Sequence, residues 1–431
     1  MENTSEPLPD VFDPRIYAAG IPHDRFRALR DRWPVARQEE YEVLGWPAGP
    51  GFLAVTRHAD VVRVLKDADA YSSHLGATQI RDPDPADLPF IRRMMLNQDP
   101  SPSSRLRSSR GDPNDHGRLR RLVSRAFTRG RIERFEATAR SRAGELLAAA
   151  RASGPEVDLV RAVTDDYALL NLTDLLGVPA SDRGLLHTWT ERVIAYQDPD
   201  EPPVLDAEGR PVNPRSPAML AEMFAYAQEL AAHKRAHPAD DIMTVLAQSP
   251  LQDAELEMFF FLLTVAGNDT VRSAAPGGLL ALAEHPEEQR RLWDGRVGMD
   301  TAVEELLRWH PPVLSFRRTA HRDTRLGGVA VAAGQKVVVF HASANYDERA
   351  FADPHRLDLG RTPNPHVSFG DGPHVCLGAH FARLQLRVLY EETRAALPGL
   401  VPAGAPRRLV SNFINGIKSL PLRLEPSAPR G

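Results

Sequence analysis

The sequence predicts a mainly α-helical fold with a small β region. Along most of the 431 residues, apolar side chains recur at intervals of three and four, the period of a half-buried helix. Runs with strand character are few and short. No Gly/Ser-rich linker or low-complexity block divides the chain, so we expect one domain over residues 1–431, with its ordered core at 13–424.

The segments with helical periodicity are also rich in Ala and Arg, which favour helix. The predicted helices span residues 28–32, 118–129, 132–151, 218–236, 253–284, 301–309 and 377–394. The predicted strands lie at residues 51–56, in a hairpin over 326–340 that turns near Ala333 and Gly334, and near 420–424.

Composition narrows the functional class. Hydrophobic residues make up 42% and charged residues 26% of the chain, as in a globular protein that folds in water. The formal net charge of −4 gives no general polybasic surface for nucleic acid or for anionic membranes. The N-terminal segment holds no apolar run that could serve as a signal peptide or membrane anchor, so we expect a cytoplasmic protein.

Cys376 is the only cysteine. Alone it cannot form an intrachain disulfide or supply the thiolates of a zinc or iron–sulfur site, which leaves a reactive nucleophile, a single axial metal ligand or an inert buried thiol. Three glycines and an aromatic residue surround it, and the predicted helix that follows favours a thiolate at its N-terminus. A loop that lies flat against a haem and directs N–H groups at one sulfur needs these features.

The segment Phe369-Gly-Asp-Gly-Pro-His-Val-Cys-Leu-Gly378 resembles the haem-binding loop of the cytochromes P-450, the haem-thiolate monooxygenases. The resemblance implies a cytochrome P-450 fold, with haem b held between the long distal helix and the helix that follows the cysteine loop. It also implies that Cys376 ligates the iron and that Phe369, Gly370 and Gly378 contact the cofactor.

Basic residues are expected to hold the haem propionates, because Arg binds carboxylates in bidentate fashion. The resemblance assigns this role to His116 and Arg120, which are four apart on one helix face, and to Arg318 and His374. Arg317 remains an alternative to Arg318. A solvated basic helix is the alternative interpretation of the pair at 116 and 120.

A local repeat affects the numbering of this basic helix. Residues 99–107 (DPSPSSRLR) parallel residues 112–120 (DPNDHGRLR). Only the second copy contains a histidine and leads into an apolar-periodic helix, so we assign the propionate role to that copy. Residues 99–111 are then an insertion.

Glu305 and Arg308 match the family's Glu-x-x-Arg pair, and their spacing lets the two charges meet on one helix face. The resemblance implies a further arginine that completes a buried network, which we assign to Arg356. A buried charge without partners is costly, so we expect this triad to serve folding and haem retention.

Residues 266–270 (AGNDT) interrupt the longest apolar helix. The resemblance places Ala266 and Gly267 against the haem and makes Asp269 and Thr270 an acid–alcohol pair that delivers protons during O2 activation. The alternative is a polar patch that bends a buried helix. Pro276 removes one backbone hydrogen bond, so we expect a kink beyond this site.

The substrate pocket is expected from segments that line it in the family. The residues assigned to it are Met95, Phe259, Leu262, Val313, Leu314, Phe413 and Ile414. Plain core packing is the alternative for each of them. Residues 198–217 carry six prolines and lie where the family has a substrate-access lid, so we expect a mobile access loop.

The sequence therefore predicts a monooxygenase that inserts one oxygen of O2 into an apolar small molecule such as a lipid, sterol, terpenoid or polyketide. Neither a Gly-x-Gly-x-x-Gly module nor a cysteine-rich motif is present, so we expect NAD(P)H electrons to arrive through a separate reductase and ferredoxin. A basic surface for the ferredoxin is predicted at Arg118, Arg121, Arg125 and Arg129. The alternatives are a haem sensor without turnover, against which the intact acid–alcohol pair argues, and a peroxygenase or isomerase, which commonly lacks that pair.

Overall fold

The computed structural model describes residues 7–100, 116–201, 205 and 212–424, and the mainly helical fold predicted from the sequence is confirmed. Within these residues the α-helices are α1 (His23–Arg32), α2 (His58–Lys66), α3 (Leu88–Ile91), α4 (His116–Ser124), α5 (Arg129–Arg134), α6 (Glu136–Ala152), α7 (Asp165–Leu176), α8 (Arg183–Ile194), α9 (Pro217–Ala236), α10 (Ile242–Ala247), α11 (Asp253–Glu284), α12 (Pro286–Trp293), α13 (Met299–Trp309), α14 (His341–Ala344) and α15 (Ala379–Ala396). None of these helices has both the length and the apolar composition needed to cross a bilayer.

The strands form four small sheets within the described residues. The strands are β1 (Val35–Gln38), β2 (Phe52–Val55), β3 (Tyr71–Ser72), β4 (Glu156–Asp158), β5 (Ser315–Ala320), β6 (Thr324–Leu326), β7 (Val329–Val331), β8 (Lys336–Phe340), β9 (Leu400–Pro402), β10 (Arg407–Arg408), β11 (Ile417–Ser419) and β12 (Pro421–Leu424). A five-stranded sheet has the order β1-β2-β8-β5-β3, and β12 lies between β4 and β9.

Strand β8 is the centre of the five-stranded sheet, parallel to β2 and antiparallel to β5. Val337 and Val339 pack in one apolar cluster, whereas Val338 and Phe340 pack in another. Successive side chains of a strand point to opposite faces, so these clusters cover both sides of the sheet. This double coverage explains why the sequence of β8 is a continuous apolar run instead of an alternating one.

The predicted hairpin over residues 326–340 is wrong. Strand β7 pairs with β6, which precedes it, and the turn between them is formed by Gly327 and Gly328, whose φ angles are +55° and +84°. Gly334 also has a positive φ, of +81°, but the chain beyond it enters the five-stranded sheet. The sequence contained two glycine turn signals, and pairing with distant strands decided which one closes a hairpin.

Helix α11 runs through the helical core and contacts α7, α8, α9, α13 and α15. It begins with a capping box, in which the Gln252 N–H donates to the Glu255 carboxylate at 2.9 Å. Its bounds agree with the predicted helix 253–284. Pro276 lies inside this one continuous helix, and the predicted kink stays a prediction.

The other predicted helices agree with the structure less closely. The segment 218–236 corresponds to α9 within one residue. The segment 118–129 is helical from His116 but leaves the α-helix after Ser124. The segment 132–151 is divided between α5 and α6, which meet at Phe135.

Two predicted irregular segments lie partly outside the described residues. Of the insertion 99–111, Asp99 and Pro100 are described, and the Asp99 carboxylate accepts hydrogen bonds from the Ser72 hydroxyl and from the Ser73 N–H at 2.7 Å. The second copy of the repeat leads into α4, as predicted. Residues 202–204 and 206–211 of the access loop are outside the described ranges, so its mobility stays a prediction.

Glu305 is completely buried and is the acceptor of a dense network. The Arg308 Nε and Nη2 atoms donate to its two oxygens at 2.8 Å each. Arg361 Nε adds contacts of 3.1 Å to both oxygens, and Asn364 Nδ2 donates at 3.1 Å. The assignment of Arg356 to this network is wrong, because its side chain is exposed and only its backbone carbonyl takes part, as an acceptor for Arg361.

We predict that Glu305→Ala lowers the free energy of unfolding by about 3–5 kcal/mol, because Arg308 is left buried without its anion. Arg361→Ala should be destabilising and should reduce haem loading, whereas Arg356→Ala should leave both unchanged. Urea unfolding and haem content of the purified variants measure this. An equal loss of stability in the variants at 356 and 361 would contradict the assignment of the third arginine.

Candidate active site

The cysteine loop is a tight turn that requires glycine. Gly370 and Gly372 have φ angles of +69° and +67°, and a Cβ atom at Gly372 would lie 2.5 Å from the Leu65 carbonyl oxygen. The Cys376 N–H donates to the Phe369 carbonyl at 2.9 Å, which closes the loop. Cys376 therefore lies just before α15, as the sequence predicted.

The Cys376 sulfur faces a recess inside the protein. Its side chain retains accessible surface, yet the surrounding protein desolvates the thiol and raises its pKa. The Gly378 N–H and the positive charges of Arg120 and Arg383 act in the opposite direction. These groups make the recess electropositive and offset part of the desolvation cost of a thiolate, which suits a sulfur that binds a metal cation.

A second network, which the sequence analysis missed, supports the start of the cysteine loop. The Arg383 guanidinium lies 4.4 Å from the centroid of the Phe369 ring and donates to Glu304 at 2.6 and 2.8 Å. Burial opposes ionisation of Glu304, but hydrogen bonds from Arg383 and His366 lower its pKa to about 2. Glu304 and Arg383 are 79 residues apart, so no local spacing could have indicated this pair.

The predicted propionate ligands lie together. The rings of His116 and His374 are 4.4 Å apart between centroids. Burial and the positive charges of Arg318, His116 and Arg120 lower the pKa of His374. Burial also lowers the pKa of Arg120, and it lowers that of Arg318 to about 10. Four basic side chains from three distant parts of the chain therefore form one cluster.

The choice between Arg317 and Arg318 follows from strand β5, whose successive side chains point to opposite faces. Arg317 points away from the cluster, with its Nη1 atom 2.6 Å from the Asp82 carboxylate. Arg318 is 3% exposed and donates to the Arg317 carbonyl at 2.9 Å. Arg318 is thus the arginine that belongs to the basic cluster.

This cluster fits the two propionates of a haem. The His374 Nδ1 atom is buried without a hydrogen-bond partner in the described part of the chain, and its Nε2 atom lies 3.3 Å from the Ser73 hydroxyl. No carboxylate forms an ion pair with Arg120 or Arg318 within residues 7–100, 116–201, 205 and 212–424, although Asp99 lies near enough to raise the pKa of Arg318. Uncompensated buried cations are costly, and an anionic cofactor would balance them.

On α11, the side chains of Ala266, Asp269 and Thr270 line a cavity of about 970 Å³. The Thr270 hydroxyl donates to the Ala266 carbonyl at 2.8 Å. Gly267 faces α7, because a Cβ atom there would lie 2.6 Å from Leu172 Cδ1, and its predicted contact with the cofactor stays a prediction. The glycine allows α7 to pack closely against α11, which offsets the cost of glycine within a helix, about 1 kcal/mol.

Asp269 is 3% exposed, and its Oδ2 atom has no hydrogen-bond partner in the described residues. Burial raises the pKa of its carboxyl to about 8, against the opposing charges of Arg272 and Arg215. Arg272 is itself held by Asp165 at 2.7 Å and by the partly exposed Glu191 at 3.4 Å. Asp269 therefore faces a charged cluster that extends towards the surface.

The cavity includes four of the seven residues predicted for it, namely Leu262, Val313, Phe413 and Ile414. Met95, Phe259 and Leu314 were assigned wrongly, because they are 7%, 2% and 1% exposed and pack in the apolar core. Their neighbours in the chain take their places in the lining, which includes Met94, Leu96, Phe261 and Phe316. The segments were predicted correctly, but which side chains face inward depends on packing.

Comparison with known proteins identifies the family. A family model described as cytochrome P-450 matches residues 299–393. The methyl-branched lipid omega-hydroxylase of Mycobacterium tuberculosis is 38% identical over 406 residues, which cover 92% of this chain and 90% of that protein. The chain belongs to the cytochrome P-450 family.

Similarity to other P-450 proteins supports this family assignment. The steroid C26-monooxygenase of Rhodococcus jostii is 35% identical over 420 residues, covering 95% of this chain and 83% of that protein. A Mycobacterium marinum cytochrome P-450 solved with pseudoionone has a TM-score of 0.83 and 36% identity, covering 98% of this chain and 100% of that one. The P-450 described here is therefore a haem-dependent monooxygenase that uses haem b and O2.

The pKa of Asp269 predicts a pH dependence of stability. An aspartate in an unfolded chain has a pKa of about 3.9, whereas burial raises that of Asp269 to about 8. The folded state therefore binds the proton more tightly. The stability from this carboxyl is complete below about pH 4 and is lost as the pH rises through about 8.

We predict that, as the pH rises from about 5 to about 8, the free energy of unfolding falls less in Asp269→Asn than in the wild type, because the asparagine side chain cannot ionise. Urea unfolding of both haem-loaded proteins at several pH values measures the difference. Identical slopes for the two proteins would mean that Asp269 is already ionised in the folded enzyme.

Proposed function

We propose that this P-450 inserts one oxygen atom of O2 into a C–H or C=C bond of an apolar lipid, sterol or terpenoid and reduces the other atom to water. The observation that carries the proposal is that the acid–alcohol pair Asp269 and Thr270 borders a large, mostly apolar cavity. The names of relatives that act on methyl-branched lipids and steroids support the substrate class. A polyketide of similar size and polarity remains within the proposed substrate class.

Haem, when bound, supplies the iron at which O2 is activated. Cys376 would ligate that iron as a thiolate, because it is the one cysteine of the chain and faces the electropositive recess. His116, Arg120, Arg318 and His374 would hold the propionates through charge-assisted hydrogen bonds. In this proposal residues 1–431 form one catalytic domain, with its ordered core at 13–424.

Proton delivery is the proposed role of Asp269 and Thr270. The reduction of O2 to the inserted atom and water consumes two protons, which must enter a largely apolar site. With a pKa of about 8, the Asp269 carboxyl holds its proton at neutral pH and can give it up. Arg272 and Glu191 connect it towards solvent, while the Thr270 hydroxyl, hydrogen-bonded to the Ala266 carbonyl, is presented to the cavity.

Electrons are proposed to come from NAD(P)H through a reductase and a ferredoxin. The exposed side chains of Arg121, Arg125 and Arg129 on and after α4 offer positive charge to an acidic partner. Arg118 does not belong to this surface, because it is partly buried and pairs with Glu255 at the start of α11. Arg129 is also paired, with Glu133 at 2.7 Å.

We predict that Thr270→Ala keeps substrate binding and O2 consumption but lowers the product formed per O2 and raises peroxide, because controlled proton delivery is lost. Thr270→Ser should restore most of the coupling. Thr264→Ala is the matched control, since Thr264 is on the same helix, fully buried and outside the cavity lining.

The measurement is the stoichiometry of product, peroxide and O2 with a substrate identified by its effect on the haem spectrum. A fully coupled Thr270→Ala enzyme at the wild-type rate would remove Thr270 from proton delivery. Uncoupling by Thr264→Ala of equal size would attribute the effect to helix packing instead.

A further inference from the structure

Arg215 is a cationic residue within the otherwise mostly apolar cavity. It lies two residues before α9 and lines the same space as Ala266, Asp269 and Thr270. Its guanidinium carbon is 5.5 Å from the centroid of the Tyr196 ring and 5.8 Å from that of Phe413. Both rings also line the cavity, so they fix the guanidinium in place and exclude water from its faces.

The hydrogen bonds of Arg215 leave one edge of the guanidinium available. Its Nε and Nη2 atoms donate to the same acceptor, the Val193 carbonyl, at 3.3 and 3.1 Å. No hydrogen bond of Nη1 occurs within the described residues, and no carboxylate of that part of the chain lies within ion-pair distance. The Nη1 and Nη2 atoms therefore still present the two-pronged edge that binds a carboxylate in bidentate fashion.

The acidic side chains that line the cavity do not neutralise Arg215. Glu40 and Asp82 are ion-paired with Lys336 at 2.6 and 2.7 Å. Asp84 and Asp87 are on the segment around α3 and form no ion pair in the described residues.

Asp269 is near enough for its charge to act on Arg215, but it makes no direct ion pair with it. Its carboxyl is mostly neutral at pH 7, since burial raises its pKa to about 8. Desolvation lowers the pKa of the Arg215 guanidinium, which nevertheless stays charged at neutral pH.

We propose that Arg215 binds the carboxylate of the substrate, so that the enzyme takes apolar acids with one charged end. This inference rests on the proposed function, because it names the substrate class of the same cavity. A desolvated cation with a single carbonyl partner gains most from an anion that completes its hydrogen bonds. The cavity volume of about 970 Å³ accommodates a lipid- or sterol-sized body attached to that group.

A second arginine of the cavity, Arg81, is less suited to this role. Its Nη1 atom donates to the Pro47 carbonyl at 2.7 Å, and its guanidinium packs over Phe12 and Trp46. These partners hold it at the Trp46 side of the cavity. Arg215 lies nearer to the reactive segment of α11, because its charge acts on Asp269.

The test compares each acid with its own uncharged counterpart. The probes are hexadecanoic acid, a methyl-branched fatty acid and a steroid carboxylic acid, each paired with its primary amide. Dissociation constants for the haem-loaded full chain are measured by calorimetry and by the change in the haem spectrum. We expect at least one acid to bind more tightly than its amide.

Arg215→Met should weaken binding of that acid about 10- to 100-fold and leave its amide within about twofold. Arg215→Lys, which keeps the charge but not the two-pronged edge, should recover part of the affinity. Arg235→Met is the matched control, because Arg235 is on α9 and also donates to a backbone carbonyl, that of Ala247. It should change neither constant.

Equal weakening of acid and amide in Arg215→Met would show that Arg215 only shapes the cavity, and the inference would fail. Acids that bind no better than amides to the wild type, or do not bind at all, would also overturn it. In either case oxidation of uncharged apolar compounds would leave the proposed function intact. A failure of the proposed function is recognised separately, by absent turnover of every bound probe.

Discussion

The concentration of positive charge around the recess at Cys376 is the constraint on which the remainder of the site depends. Arg120, Arg318, His116 and His374 come from α4, β5 and the cysteine loop, and burial lowers the pKa of each arginine. Cations gathered in this way repel one another and cost free energy unless an anion joins them. A haem would bring two carboxylates to one edge of the recess and an iron cation to the thiolate. In the proposed assignment, folding, haem retention and axial ligation would therefore be coupled through one electrostatic balance.

Two adjacent glutamates of α13 hold the framework around that recess. Glu305 points into the core and, with Arg308 and Arg361, ties α13 to the chain leading to the cysteine loop. Glu304 pairs with Arg383 of α15, whose guanidinium covers the aromatic ring that opens the loop. Because neighbouring helix residues point in different directions, one turn of α13 fixes both ends of the loop that carries the sulfur. This arrangement gives the Glu-x-x-Arg motif a mechanical role in positioning Cys376, the proposed axial ligand.

The features that could be predicted from the sequence are those encoded locally. The cysteine loop needs glycines at fixed positions, and α11 has a capping signal and a long apolar run, so the position of the loop before α15 and the bounds of α11 were predicted correctly. The errors at the site concern the direction of side chains, whereas the wrong hairpin concerns strand pairing. Arg356 was chosen where Arg361 reaches Glu305, and Phe259 was chosen where Phe261 lines the cavity. Contacts with elements distant in the sequence decide which side of a helix or loop faces a site, and no local pattern records those contacts.

The most direct test is the absorption spectrum of the reduced enzyme under carbon monoxide, because it reports the axial ligand independently of turnover. We expect the wild type to show the Soret band of a thiolate-ligated haem, and Cys376→Ser to lose that band even where haem is retained through the basic cluster. Arg383→Gln, which keeps the thiol but removes a nearby positive charge, should retain the thiolate band in a less stable form. A wild-type spectrum like that of a histidine-ligated haem, or an unchanged band in Cys376→Ser, would contradict thiolate ligation by Cys376.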